Sequence, residues 1–540
     1  MENDLTENKD PFLQRAIEYW LDSANELGYQ PLFCEWLISK GYVLKYSIKN
    51  TNFEQGKDVL AVNPSGVPHA YQLKGGNINL NRWRTEVKPE IEAMIECCIQ
   101  HPDIDKNIEH ISYLVTNGEV EDAARVEIVA LNEGKWKQTP LRIWTRGDLL
   151  TGFQGMADGI LPRDAQTYKE LIDFIFSDGT GLPNIARIST FFSQILNVGN
   201  VTAKKEQRRR DIAGAMLYAT MIAGPYRKVE NYDSTIRIMT LLLSLIFHVV
   251  DKYGLEDKYW IESYRIIWND IITAAHLLEA EINTSGFETA FVSPADKDLV
   301  PFRKHSSVSI LYALKLSEFI NRDGAWKSIL NPTTAKNYRE SVVLWGEASF
   351  IPYIMIICIF KNFEQSKVIA SEVSQTAISD ILLLNGRNSK HPFGFLPPYY
   401  DIDFAVRLNL GILESEFEDT YTMGSHLLKP FIEILVRLNG REFIAKNWQE
   451  ISYMHFEEFV PDDAVDYYLW KIPNGENLSI FPKKEKSWRE LVEESSKYDG
   501  YGLPPTLKRF PAFMPFFLTV FPHRADSKTV GFLYMVSNIN

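Results

Sequence analysis

Apolar positions follow two different periods along this chain, and the change from one to the other divides it. Near the start, Tyr42–Ile48 alternates and is rich in β-forming residues, and Asp58–Val62 and His69–Lys74 are two further short strand candidates. Asn63-Pro64-Ser65-Gly66 separates the last two with strong turn chemistry, so they read as a hairpin. After Gly75-Gly76, Leu80, Trp83, Val87, Ile91, Met94 and Cys98 recur at steps of 3, 4, 4, 3 and 4, one apolar stripe on a helix. Pro11–Leu27 and Pro31–Lys40 read as helices, with Gly41 as a stop. Ile111–Val115 reads as a buried strand, Glu119–Leu131 as a helix, Leu141–Trp144 as a strand, and Gly147-Asp148 opens a short helix. This order implies an α/β domain over 1–155, a mixed sheet flanked by helices.

Beyond it, helical periods dominate: Ile185–Leu196, Arg209–Ala223, Ser234–Lys252, Tyr259–Leu278, Ser307–Ile320, Tyr338–Phe360, Ser371–Leu384 and Leu427–Leu438. Residues 156–540 are therefore expected to be mainly α-helical, with proline-rich breaks at Pro392–Pro398 and Pro504–Pro515 and a subdomain boundary near 385–400. Phe510–Phe521 is aromatic-rich and reads as a core segment. No internal repeat of fixed period appears.

Composition narrows the class. A chain of 540 residues is expected to hold two to four domains. The net charge of −13 argues against a protein that coats nucleic acid unaided, but is compatible with a local basic cleft. Cys34, Cys97, Cys98 and Cys358 include no C-x-x-C pair, which gives neither a zinc site nor a disulfide framework and suits a reducing cytoplasm. The polar, acidic start Met1–Leu5 lacks the pattern of a signal peptide. Ile238–Val250 is too short to span a membrane, and Val342–Phe360 carries Glu347 and ends beside Lys361, so it reads as a core helix. A cytoplasmic protein without membrane contact is the expectation.

The chemistry-bearing residues lie on the hairpin. Gln72 and Lys74 are two apart on a strand and share a face, while Tyr71 and Leu73 face the other way; the neighbouring strand can bring Asp58 beside them. Hydrolysis of a phosphodiester requires charge neutralisation and an activated water. Asp58 offers a hard oxygen for Mg²⁺ (or Mn²⁺), the Gln72 side-chain carbonyl a second and the Leu73 backbone carbonyl a third. Lys74 would hold the attacking water or stabilise the transition state, and burial beside a metal would lower its pKa enough for it to act as a base.

Gly56-Lys57-Asp58-Val59-Leu60-Ala61-Val62 followed by Ala70-Tyr71-Gln72-Leu73-Lys74 resembles the D…QxK form of the PD-(D/E)XK motif of Mrr-like restriction endonucleases and related antiphage effector nucleases. The flanks agree: Gly41-Tyr42 before the first strand, an amphipathic helix after the lysine, and a strand ending in Thr116-Asn117. The resemblance covers about residues 11–152. It implies a restriction-endonuclease-like fold and a Mg²⁺-dependent DNA endonuclease, the effector of a prokaryotic restriction or antiphage defence system. The region after 155 would then sense, oligomerise or dock a partner, such as an ATPase, since no Walker A sequence is present. The family often adds a first-helix glutamate to the metal. Glu35 and Gln30 both compete for that place, and five positions apart on a helix at most one points at the site. A shortage of carboxylates favours one metal over two.

Arg82, Arg84 and Lys88, on the helix after Lys74, are candidate phosphate contacts. Lys204-Lys205-Glu206-Gln207-Arg208-Arg209-Arg210 is the densest basic run, and reads as a solvated helix start or a second phosphate surface. Asp401 with Asp403 is an acidic pair in a Pro/Tyr-rich loop and reads as structural, and His455 with Glu457 and Glu458 lacks H-E-x-x-H spacing. Two other readings compete with the nuclease: a catalytically silent nucleic-acid-binding or assembly module on the same fold, and an RNA-cutting toxin.

Overall fold

The computed structural model describes residues 17–18, 20–22, 24–46, 57–99, 101, 103–104, 108–157, 165–285, 300–322, 346–363, 366–389, 394–400, 404, 422–497 and 502–538. Two compact units divide the chain, one formed by 1–249 with 253–271 and the other by 250–252 with 272–540. The first unit therefore runs past the boundary expected at 155.

The first unit is built on a five-stranded sheet in the order β1-β2-β3-β4-β5, with β1 Val43–Tyr46, β2 Val59–Val62, β3 Pro68–Lys74, β4 Ile111–Thr116 and β5 Arg142–Trp144. Neighbours β1, β2 and β3 are antiparallel, while β3 with β4 and β4 with β5 are parallel. The expected hairpin forms around Asn63, whose Oδ1 accepts the N–H groups of Ser65 at 3.0 Å and Val67 at 2.8 Å. This side-chain mimicry of a turn is what asparagine supplies at such positions.

Helix α1, Glu26–Ser39, begins earlier than expected, and the preceding helical residues end at Asp22. Asn25 caps it, its Oδ1 accepting the Gly28 N–H at 2.8 Å. Pro31 lies inside the helix rather than at its start. Its missing N–H deprives the Leu27 carbonyl of a helical partner, and Arg227 Nη1 donates to that carbonyl at 3.3 Å instead. Gly41, with φ of +84°, turns the chain out of the helix, a conformation glycine adopts without strain.

The two faces of β3 meet different layers. Ala70 and Leu114 join Trp83, Val87, Ile91, Met94, Ala124, Ile128 and Trp136 in one buried cluster. Its helical part is α2, Leu80–Arg82, running through a π turn at Trp83–Val87 into α3, Lys88–Glu96, with α4, Asp122–Glu133, beside it. The apolar stripe ends with the helix, so Cys98 is exposed. On the opposite face Tyr71 packs edge-on to Phe33 of α1 at 5.2 Å between centroids and stacks on Tyr113 at 4.9 Å. Helices α5 Arg146–Ala157, α6 Ala165–Ile175, α7 Ile185–Ile195, α8 Lys205–Lys228, α9 Tyr232–Tyr253 and α10 Ile261–Ser285 follow. Among the described residues, α9 is the helix long and apolar enough to cross a membrane, and 94% of its apolar window is buried within the protein.

The second unit is mostly helical: α11 Val300–Ile320, α12 Ile351–Phe360, α13 Lys367–Asn385, α14 Leu428–Arg437 and α15 Arg441–Ile451, then α16 Trp488–Ser495, α17 Pro505–Arg509, α18 Met514–Val520 and α19 Ser527–Val536. It also holds a small sheet the sequence reading did not anticipate, with β6 Gly424–Ser425 parallel to β7 His455–Pro461 and β7 antiparallel to β8 Gly475–Ile480. Every residue of α12 is buried, and Phe513, Phe516, Phe517 and Phe521 are core residues, as their composition suggested. Asp401 and Asp403 lie outside the described residues.

A Cβ at Gly118 would sit 2.3 Å from the Gly76 carbonyl carbon and 2.5 Å from the Asn77 nitrogen, both backbone atoms that cannot yield cheaply. Gly118→Ala is expected to destabilise the first unit by about 1–3 kcal/mol, measured as a lower denaturant midpoint. An unchanged midpoint would show that this close approach is not a constraint.

Candidate active site at the end of strand β3

The residues picked out on the hairpin converge. The Asp58 N–H donates to the Tyr71 carbonyl at 2.9 Å, extending the β2–β3 ladder by one residue. This places the Asp58 carboxylate over β3. Its Oδ2 accepts from Gln72 Nε2 at 2.8 Å and from the Leu73 N–H at 2.7 Å. Gln72 Oε1 is buried and makes no hydrogen bond. Leaving a buried acceptor unpaired costs about 1–3 kcal/mol, so an electropositive partner would relieve this position.

Lys74 ends the strand on the same face. Its ammonium is 2.6 Å from Glu90 and 3.6 Å from Glu86, carboxylates that the π turn and α3 bring back over the strand. Burial lowers the tendency of Lys74 to hold its proton, but hydrogen bonding to Glu90 and the charges of Glu26, Glu90 and Asp58 outweigh it and hold its pKa above the ordinary lysine value. The expected lowering is therefore reversed. Lys74 is a fixed cation here, suited to charge stabilisation rather than proton abstraction.

The turn after Lys74 is pinned from three directions. Thr116 Oγ1 donates to the Gly76 carbonyl at 2.7 Å, Asn117 Oδ1 accepts the Gly76 N–H at 2.7 Å, and Arg82 Nη1 donates to the Gly75 carbonyl at 2.6 Å. Asn117 Nδ2 also donates to the Leu21 and Ala24 carbonyls at 2.6 and 2.7 Å, tying the turn to the approach to α1. The Tyr29 hydroxyl donates to the Lys74 carbonyl at 3.0 Å and lies 3.3 Å from that of Val115. The Thr-Asn pair at the end of β4 thus has a structural task, holding the turn that follows the lysine.

Of the two first-helix candidates, Glu35 does not come to this site. It is 1% exposed, it accepts a 3.0 Å hydrogen bond from Ser263 of α10, and the charge of Arg209 of α8 acts on it. Gln30 is buried on α1. The first-helix carboxylate that does reach β3 is Glu26, missed because Pro31 was taken as a helix start. Its Oε1 accepts the Gly75 N–H at 3.3 Å, and its charge acts on Lys74. Glu26 lies four residues before Gln30, on the same face of α1. The Asn25-Glu26 pair, a capping residue followed by an acid, was the available signal.

The basic residues are spent on carboxylates and carbonyls. Arg82 pairs with Glu86 at 3.0 Å, while Arg84 and Lys88 share Glu127 at 2.7 and 2.9 Å. In the Lys204–Arg210 run, Arg208 is 1% exposed, lies 3.7 Å from the Tyr253 ring centroid and donates to the Asn197 carbonyl at 2.8 Å. Arg209 donates to the Ile38 carbonyl. That run is in part an internal fastening, while its Lys204, Lys205 and Arg210 are exposed.

Among the described residues, no three His, Cys, Asp or Glu side chains cluster to hold a metal. A cation here would depend on mixed donors: Asp58, the unpaired Gln72 Oε1 and a backbone oxygen. That all-oxygen set suits Mg²⁺ or Mn²⁺ better than zinc. At Leu73 the N–H donates to the Asp58 carboxylate, and the residue pairs with Val115 in the β3–β4 ladder. No family model, no curated protein and no solved structure matches the chain.

Burial raises the Glu35 carboxyl pKa to about 7 from 4.5, with a further push from Glu262, against the hydrogen bond from Ser263 and the charge of Arg209. The folded state therefore binds a proton that the unfolded state has released between pH 4.5 and 7, so this group's contribution to stability falls as pH rises through that window. The penalty at pH 8 is of order 3 kcal/mol. Glu35→Gln keeps an acceptor for Ser263 and is expected to be more stable than the parent at pH 8 and similar at pH 4.5. Denaturant unfolding at both pH values reads this directly, and identical pH slopes would refute it.

Proposed function

We propose that the α/β segment is a restriction-endonuclease-like, metal-dependent nuclease that hydrolyses DNA phosphodiester bonds, as effector of a prokaryotic restriction or defence system. The observation that carries this reading is the joint placement of Asp58, Gln72 and Lys74. One carboxylate oxygen accepts from both the Gln72 amide nitrogen and the Leu73 N–H, the oxygen of that same amide is buried without a hydrogen bond, and an ammonium closes the strand on the same face. Asp58 and Gln72 Oε1 would hold Mg²⁺, with Glu26 as the first-helix carboxylate in place of Glu35. A divalent cation there supplies charge neutralisation at the phosphate and makes water more acidic.

The remaining work falls to the chain itself. Lys74 holds a positive charge where negative charge grows on the phosphate. Its present partners, Glu86 and Glu90, have side chains 45% and 40% exposed, whereas that of Lys74 is 7% exposed. A phosphate reaching the site would replace them as the partner of Lys74. Asp58 keeps the Gln72 amide oriented through its hydrogen bond.

The closed ion pairs also favour a second reading, a silent module that keeps the fold for assembly. A plasmid-cleavage assay with Mg²⁺ separates the two. Asp58→Ala and Lys74→Ala are each expected to lower cleavage by about 100- to 1000-fold, Glu26→Gln to lower it measurably, and Glu35→Gln to leave it unchanged. Cleavage that survives both Asp58→Ala and Lys74→Ala removes the nuclease assignment from this site, and absence of cleavage in the parent supports the silent module. Replacing the plasmid by RNA tests the RNA-cutting alternative.

A further inference from the structure

More carboxylates stand around the Lys74 ammonium than its single charge requires. The charges of Glu26 and Asp58 act on it, and Glu90 and Glu86 reach it at 2.6 and 3.6 Å. The last two hold a distinct position. Their side chains are 40% and 45% exposed while that of Lys74 is 7% exposed, so they lie between the ammonium and solvent. A group approaching Lys74 from solution meets them first.

The helix that carries them holds them there. Glu86 lies in the π turn Trp83–Val87, whose end residues are buried in the cluster with Ala70 and Leu114 of the sheet. Single π turns are uncommon and concentrate at functional sites. Arg82 grips Glu86 at two points, Nε to Oε2 at 3.0 Å and Nη2 to Oε1 at 3.2 Å. The same guanidinium donates to the Gly75 and Asn77 carbonyls at 2.6 and 3.2 Å. Glu86 is thus fixed at the mouth of the site by a residue that is itself fixed to the turn. Glu90, one helical turn further on, makes its ion pair with Lys74 itself.

The surplus of negative charge faces whatever comes next. A phosphodiester is an anion, and like charges at contact distance repel it until something else leaves or compensates them. Arg82 is already paired with Glu86, and Arg84 and Lys88 with Glu127. We propose that Glu86 and Glu90 form an autoinhibitory gate: they occupy the ammonium that the scissile phosphate of DNA must take, and yield it only to a phosphate that displaces them. The inference rests on the nuclease reading of this site and adds its regulation, a resting state with weak affinity for DNA.

Fluorescence anisotropy of a short labelled DNA duplex with the full-length protein in EDTA reads the gate without cleavage. Glu86→Gln combined with Glu90→Gln keeps the shape of both side chains and is expected to bind at least tenfold more tightly than the parent. Glu86→Gln alone leaves Glu90 to Lys74, and is expected to show part of that gain with the parent's denaturant midpoint. Adding Lys74→Ala to the double variant is expected to abolish the gain, because the phosphate then has no ammonium to take. Glu92→Gln combined with Glu96→Gln removes the same charge from the same helix, beside Lys135, and is expected to change affinity less than twofold. Folded Gln variants at 86 and 90 that bind no tighter than the parent, a gain that survives Lys74→Ala, or an equal gain from the changes at 92 and 96 overturns the gate. Should the parent still cleave plasmid in an Asp58-dependent way, the nuclease reading stands without the gate. Should no variant bind the duplex and the parent cleave nothing, both fall together.

Discussion

The first unit is organised around one buried ammonium. Lys74 closes β3 at 5% exposure, and an isolated charge at that depth would cost several kcal/mol. The chain meets this cost by surrounding the group with carboxylates from separate elements: Glu90 and Glu86 from the helix that follows, Glu26 from α1 and Asp58 from β2. The helix after Gly75-Gly76 must therefore return across the same face of the sheet it has just left. The apolar stripe from Trp83 to Met94 supplies the burial that holds it there.

The same constraint explains why the turn between strand and helix is so heavily fastened. Thr116, Asn117 and Arg82 between them bond the carbonyls of Gly75 and Gly76 and the N–H of Gly76. A displacement of this turn would separate Lys74 from its acidic partners and leave the charge exposed to apolar packing. Arg82, read along the sequence as a phosphate contact, is consumed by this task. Arg84 and Lys88 are neutralised by Glu127 in the same way. The acidic balance of the chain, net −13, thus has a local counterpart: near the site there are enough carboxylates to pair the cations that periodicity places there.

The second unit repeats the principle in another form. Where Lys74 is a buried cation with several partners, Glu347 is a buried carboxyl held by the His426 and Leu427 N–H groups and by Ser425. Burial raises its pKa to about 7, with Glu457 adding to the push. In both cases the fold settles a buried ionisable group, by pairing the charge of one and by favouring the protonated form of the other.

Much of the N-terminal architecture was decided locally. Alternation fixed the strands, Asn63 to Gly66 fixed the hairpin turn, and the two-residue spacing of Gln72 and Lys74 put them on one face whatever the rest of the chain did, because strand side chains alternate. The stripe from Leu80 to Met94 likewise determined which side of its helix is buried. What required tertiary structure was every choice among equivalent neighbours. Glu26 rather than Glu35 reaches β3 because Pro31 is tolerated inside α1, once Arg227 supplies the donor that proline lacks, from 200 residues away in sequence. The sign of the Lys74 shift depends on Glu90, Glu26 and Asp58, carboxylates from three separate parts of the chain. Periodicity reports which face of one element is buried. It carries no information about which charged groups of other elements will face it, and that sets both pKa and chemistry.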